Sequence, residues 1–143
     1  HGAAQVVGVD VGHAQLHPSL QNDGRVVCIE KINARTLNAE DSPLNQYTPQ
    51  GGFDLLVADL SFISLTLVLP VLSAVMQAQA QALLLVKPQF ELQATDIGKG
   101  GLVQDPTKYG QVEKRLRSAA QDVGLQVAHW LPSAITGGDG SDL

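Results

Sequence analysis

Two apolar runs, each closed by one charged residue, constrain this chain more than anything else in it. The first, Phe53-Asp54-Leu55-Leu56-Val57-Ala58-Asp59, stops at a carboxylate and continues into Leu60-Ser61-Phe62-Ile63-Ser64. The second, Ala82-Leu83-Leu84-Leu85-Val86-Lys87-Pro88, stops at an amine and continues into Gln89-Phe90-Glu91. Leu65 to Gln81 lies between them, long enough for a crossover helix. Strands joined this way run parallel and place their carboxyl ends at one edge of a sheet. Neighbouring strands lie about 5 Å apart, so Asp59 and Lys87 are expected to face each other there. Open α/β sheets bind ligands at that edge.

Composition narrows the class. With 143 residues, 44% apolar and 16% charged, the chain has enough material for one globular domain with a core. A net charge of −5 argues against this piece gripping a phosphate backbone alone. The single cysteine, Cys28, sits in an apolar run and is expected to be buried, in a reducing compartment. No run approaches the roughly 18 apolar residues of a membrane span, and no basic start leads into an apolar segment. These features suggest a cytoplasmic protein.

Apolar runs at Gln5 to Val11 and Arg25 to Glu30 read as two further strands. Between them, Gly12 to Gly24 is polar, with at most a short helix interrupted near Pro18. Lys31 to Gly52 reads as loop with a helical turn near Asn38 to Asp41. The clearest helix starts at Asp105-Pro106: Val112, Leu116, Ala119, Ala120 and Val123 share one face, and Gly124 closes it. Leu125 to Leu131 is a last expected strand, and Pro132 to Leu143 a loop. The Gln-Ala alternation at Met76 to Ala82 is too short to count as a repeat. Strands alternating with helices predict a doubly wound, mainly parallel α/β sheet.

Each candidate site residue has a plainer alternative. Asp10, closing the first strand, suits a ribose-binding carboxylate or a turn-forming aspartate before Gly12. Asn33 and Ala34, after the second strand, could rest against an adenine, or Asn33 could be an ordinary loop residue. Asp59 could cap a helix, although Ser61 or Ser64 can serve instead. Lys87 could be solvated, yet Pro88 forces an extended backbone there, and a covered lysine beside a carboxylate suits proton chemistry. His13, His17 and His129 lack metal-ligand spacing with cysteine or acidic residues. Gly98-Lys99-Gly100-Gly101 lacks the ending of a phosphate loop and reads as a flexible loop over the site.

Taken in order, these stretches resemble the TlyA (hemolysin A) family within the FtsJ-like ribosomal RNA methyltransferases. The matching residues are Val9-Asp10-Val11-Gly12 with Gln15-Leu16, Asn33-Ala34-Arg35, Phe53-Asp54-Leu55, and Asp59 through Leu65. They continue with Leu85-Val86-Lys87-Pro88-Gln89-Phe90-Glu91, Gly98-Lys99-Gly100-Gly101, Val103, Asp105-Pro106, and Ser133-Ala134-Ile135-Thr136-Gly137. The resemblance implies S-adenosylmethionine-dependent methylation of a ribose 2′-hydroxyl, on cytidines of ribosomal RNA. It places the family's catalytic aspartate on Asp59 and its second catalytic lysine on Lys87. Lys87 would orient or deprotonate the hydroxyl while Asp59 holds the amine, and Asp59 also borders the cofactor. Asp10 and Val11 would bind the cofactor ribose; Asn33 and Ala34 would line its adenine.

Compared with that pattern, the first catalytic lysine, the glycine-rich cofactor loop, the terminal glutamate and an amino-terminal RNA-binding domain are missing. The expectation is a Rossmann-like methyltransferase core, residues 1–143, without its first and last strands and inactive by itself. In the usual strand order both missing strands are internal, which predicts gaps in the sheet or pairing across subunits. Its partner would be ribosomal RNA or a ribosomal subunit, and open strand edges allow a homo-oligomer. The rival is a non-catalytic RNA- or ribosome-binding module on the same fold. A membrane-lytic role finds no long basic amphipathic helix or apolar span.

Overall fold

The structure, a computed structural model, describes residues 2–10, 18–93, 96–98, 103 and 105–133. Val11, the glycines and lysine at 99–101 and the tail from 134 lie outside the described residues, as do His13 and His17.

Among the described residues four strands form two parallel pairs. Strand β1 (Val6–Val9) pairs with β2 (Val26–Ile29), Val7 opposite Val27 and Val9 opposite Ile29. Strand β3 (Phe53–Ala58) pairs with β4 (Met76–Leu84). Helix α1 (Pro18–Gln21) has Pro18 at its first described position, where a missing N–H costs little. Helix α2 (Leu65–Ala74) crosses from β3 to β4, and α3 (Lys108–Asp122) packs against it.

The core lies on one side of both sheets. Val68, fully buried, sits with Leu65, Val71, Leu72 and Val75 of the α2 region against Ile29, Leu37, Leu44, Val112 and Leu116. Burying side chains of this kind stabilises by about 1.5–3 kcal/mol each. The α3 pattern holds: Val112, Leu116 and Ala120 are buried, and Gly124 ends the helix at φ +81°, a left-handed conformation that glycine adopts without strain. Ser73 Oγ donates to the Val123 carbonyl at 3.0 Å, tying α2 to the end of α3.

Four expectations need correction. Strand β4 begins at Met76, not Ala82, so the Gln-Ala alternation is strand, following directly on Val75. Its register jumps: Phe53 is opposite Met76, but Leu55 is opposite Gln81. The turns of the 31–52 segment are 3₁₀ helices at Ala34–Thr36 and Pro43–Gln46, flanking the expected position, because Asn33 and Ser42 cap them with their side chains. Cys28 is exposed: Val27 and Ile29 take the core face of β2, so the residue between them points outward. Leu125 to Leu131 forms no strand, since no described strand lies beside it to complete a ladder.

Among the described residues no ladder joins β1–β2 to β3–β4. The outer face of β3–β4 leaves Leu55, Val57 and Leu83 between 63% and 72% exposed. Parallel sheets ordinarily bury both faces, so this face and these edges suit further structure. No described helix is long and apolar enough to cross a membrane.

Candidate functional site

All four described strands, with the loops after them, carry the candidate residues to the carboxyl edges. Strand β3 stops at Ala58, whose carbonyl accepts from Leu85 N–H at 3.0 Å; this last rung brings the ends of β3 and β4 together. Asp59 follows immediately. Beyond β4, Pro88–Phe90 forms a 3₁₀ turn with Lys87 at its start, in the extended conformation a following proline requires. The amine and the carboxylate meet: Lys87 Nζ lies 2.6 Å from Asp59 Oδ1 and donates to Ser61 Oγ at 2.9 Å. Their surroundings differ sharply. The Lys87 side chain is 12% exposed and that of Asp59 66% exposed. A covered amine thus points at a carboxylate that water and ligands can reach.

Between Asp59 and α2 the chain makes an unusual turn. Phe62 has φ +63°, a left-handed conformation costing a bulky residue about 1–3 kcal/mol, and its ring is 90% exposed. It leans on Phe90, with centroids 5.1 Å apart and planes tilted by 49°. The two rings belong to the two loops that carry Asp59 and Lys87. Ser64, rather than Asp59, caps α2 by accepting from Thr66 N–H at 3.2 Å, leaving the aspartate available.

An open groove of about 490 Å³ runs from this aromatic pair to the loop after β2. Asn33 and Arg35 line one side; Phe62, Ile63, Ser64, Leu67 and Phe90 line the other. Asn33 Oδ1 accepts from Arg35 N–H at 2.9 Å, so its structural capping duty is fulfilled while it faces the groove. Ala34 packs toward the core. Asp10 ends β1; its N–H donates to Ile29 O and its carbonyl accepts from Ile32 N–H, which fastens the start of the Asn33 loop to β1. Asp10 does not line the groove. The structure therefore unites Asp59 with Lys87 and brings Asn33 to a groove lined by Phe62 and Phe90, whose loops carry that pair although neither Asp59 nor Lys87 lines the groove itself. Ser61, Phe62 and Phe90 are the participants that sequence patterns alone leave unmarked, though all three lie within three residues of Asp59 or Lys87.

A further ion pair orders the segment just before β2. Arg25 grips Asp23 at 2.8 Å, and the hydrogen bonds from its guanidinium hold that carboxyl down at about 2. Partial burial, then the negative charges of Glu30 and Asp10, push the Cys28 thiol above its ordinary value.

A family model described as FtsJ-like methyltransferase matches residues 1–143. The chain is 42% identical over 140 residues to the 16S/23S rRNA (cytidine-2'-O)-methyltransferase TlyA of Mycobacterium tuberculosis, covering 98% of this chain and 50% of that protein. Over 141 residues it is 36% identical to Hemolysin A of Brachyspira hyodysenteriae, covering 99% and 56%. A solved structure described as "Putative hemolysin from Streptococcus thermophilus" shares 35% identity and superposes with a TM-score of 0.86, over 99% of this chain and 49% of that one. The chain spans about half the length of the relatives it matches.

Proposed function

The chain belongs to the FtsJ-like methyltransferase family, and from that membership we propose that it is the core of an enzyme methylating a ribose 2′-hydroxyl, on a cytidine of ribosomal RNA, in the cytoplasm. The observation that carries the proposal is the Lys87–Asp59 contact at the carboxyl edge of a parallel strand pair.

A ribose hydroxyl is a poor nucleophile and must surrender or share its proton as it attacks a methyl carbon. An amine held against a carboxylate can take part in that step. The carboxylate fixes the direction of the amine, and the covered position of the amine keeps water from competing for it. In this reading the Lys87 ammonium orients the hydroxyl, or, once it has given up its own proton to solvent, the neutral amine accepts the hydroxyl proton, while Asp59 and Ser61 fix Nζ. Phe62 offers an exposed ring face, with the half-buried Phe90 beside it, which suits stacking of a base next to the reacting ribose.

S-adenosylmethionine, when bound, supplies an electrophilic methyl group. The residues present fit part of such a cofactor. The apolar and polar lining of the groove beside Asn33 suits an adenine, and Asp10 closes a strand where carboxylates accept from ribose hydroxyls. Val11, beside Asp10 in sequence, belongs to the same proposed subsite. The open edges of both strand pairs support a division of labour in which further strands, and an RNA-binding element offsetting the net charge of −5, complete the working protein. By itself this core is then inactive.

Equilibrium binding of S-adenosylmethionine to the full protein tests the cofactor half of the proposal. Asp10→Ala is expected to weaken binding about 10-fold or more, while Lys87→Ala leaves it unchanged. The competing reading, a non-catalytic RNA- or ribosome-binding module, requires ribosomal RNA to be retained with no cofactor bound by either protein.

A further inference from the structure

One buried carboxylate has no part in the chemistry above. Glu91 is 4% exposed, its side chain 2%, and both oxygens are engaged. Oε1 accepts from Leu65 N–H at 2.7 Å and Oε2 from Ser64 Oγ at 2.5 Å. Arg115 of α3 donates from Nη1 to the Glu91 carbonyl at 2.8 Å, with Nη2 3.8 Å from Oε2.

These bonds join the two loops that carry the reacting pair. Glu91 follows Lys87 by one tight turn, in which Phe90 N–H donates to Lys87 O at 2.9 Å and Glu91 N–H to Pro88 O at 3.0 Å. Ser64 and Leu65 end the loop that begins at Asp59. Two cross-links therefore span the same loops: Lys87 with Asp59 at one end, Glu91 with Ser64 and Leu65 at the other. The chain between them forms a closed ring, so fixing Glu91 limits where Nζ can sit relative to Oδ1.

Helix capping alone does not account for this arrangement. Ser64 already caps α2 through Thr66 N–H. Burying a charged carboxylate costs several kcal/mol of desolvation, and apolar replacements of buried ion pairs are often as stable. What a neutral apolar filler lacks is direction.

We propose that Glu91 is a positioning residue for methyl transfer, its buried carboxylate locking the Lys87 turn to the Asp59 loop so that the amine is held at the carboxylate before substrate arrives. This rests on the reaction proposed above.

The test compares the full protein with Glu91→Gln and with Arg115→Ala, which keeps the carboxylate but frees its carbonyl from α3. Three quantities are read: the melting curve, kcat and KM for methyl transfer, and the ¹H–¹⁵N signal of the Lys87 ammonium, which persists only while its protons are protected by hydrogen bonds. Glu91→Gln is expected to stay folded, lose about 10- to 100-fold in kcat with KM unchanged, and lose the ammonium signal. Arg115→Ala is expected to shift the same quantities in the same direction by less. A folded Glu91→Gln that keeps either the ammonium signal or its kcat overturns the proposal. If Glu91→Gln does not fold, an unchanged ammonium signal in Arg115→Ala overturns it. Should the unsubstituted protein transfer no methyl group, the proposed reaction fails, and the ammonium signal alone still decides the role of Glu91.

Discussion

Replacing Asp59 by Asn removes one charge from the Lys87 pair and changes little else in shape. At 2.6 Å the attraction amounts to about 1.6 kcal/mol in water and about 6 kcal/mol at an effective dielectric constant of about 20. The exposure of the partners decides between these limits. Asp59 is two-thirds open to water, which screens the pair toward the lower value, and covering Lys87 has already cost desolvation. A coupling of about 1–2 kcal/mol follows. The asymmetry makes a sharper prediction. Asp59→Asn leaves a covered ammonium with only neutral acceptors beside it, Ser61 Oγ among them, whereas Lys87→Met leaves a carboxylate that water already solvates. Asp59→Asn should therefore cost more stability than Lys87→Met. Urea unfolding of both single variants and the double variant measures the coupling, and repetition in 1 M salt should shrink it, since the screening length falls to about 3 Å. A coupling below about 0.3 kcal/mol, or a Lys87→Met cost equal to that of Asp59→Asn, refutes the reasoning.

Three other predictions concern the fold. A Cβ at Gly52, at φ +107°, would stand 2.5 Å from the Met76 carbonyl carbon, whereas one at Gly51, at φ +85°, meets nothing within 4 Å; Gly51→Ala should cost about 1–2 kcal/mol and Gly52→Ala clearly more in the same unfolding assay. Cys28 should be alkylated in the folded protein, with a rate that keeps rising above pH 9.0 because its thiol is held above that ordinary value; no labelling before unfolding would contradict its exposure. Asp23 should titrate near 2 by NMR. Its folded value lies below the unfolded one, so its contribution to stability is complete above the ordinary carboxylate value of about 3.9 and is lost as pH falls toward 2. Arg25→Ala should restore a midpoint near the ordinary value.

The site was more legible in the sequence than the sheet. Asp59 and Lys87 could be paired because apolar runs ending in charge, separated by a crossover length, leave little freedom in where the ends meet. That Ser61 or Ser64 could cap α2 in place of Asp59 followed from residue type, and the fold uses Ser64. Strand β4 was harder to place because Met76 to Gln81 combines Gln and Ala, which carry little strand preference; the ladder with β3 makes it a strand. Leu125 to Leu131 has the opposite character, with strand composition and no described neighbour. Cys28 shows that an apolar run has two faces, and only the tertiary packing says which residues take the inner one. Phe62 and Glu91 carry no local signal for an exposed strained ring or a buried clamp, since both properties arise where the loops after β3 and β4 touch.

The measurement closest to the central claim is transfer of labelled methyl from S-adenosylmethionine to unmodified ribosomal RNA by the full protein, with Lys87→Ala beside it. The account predicts label in the 2′-O-ribose fraction that falls at least about 100-fold in the variant, in keeping with the loss of a proton-handling group. Label in the bases, or equal transfer by both proteins, would contradict it.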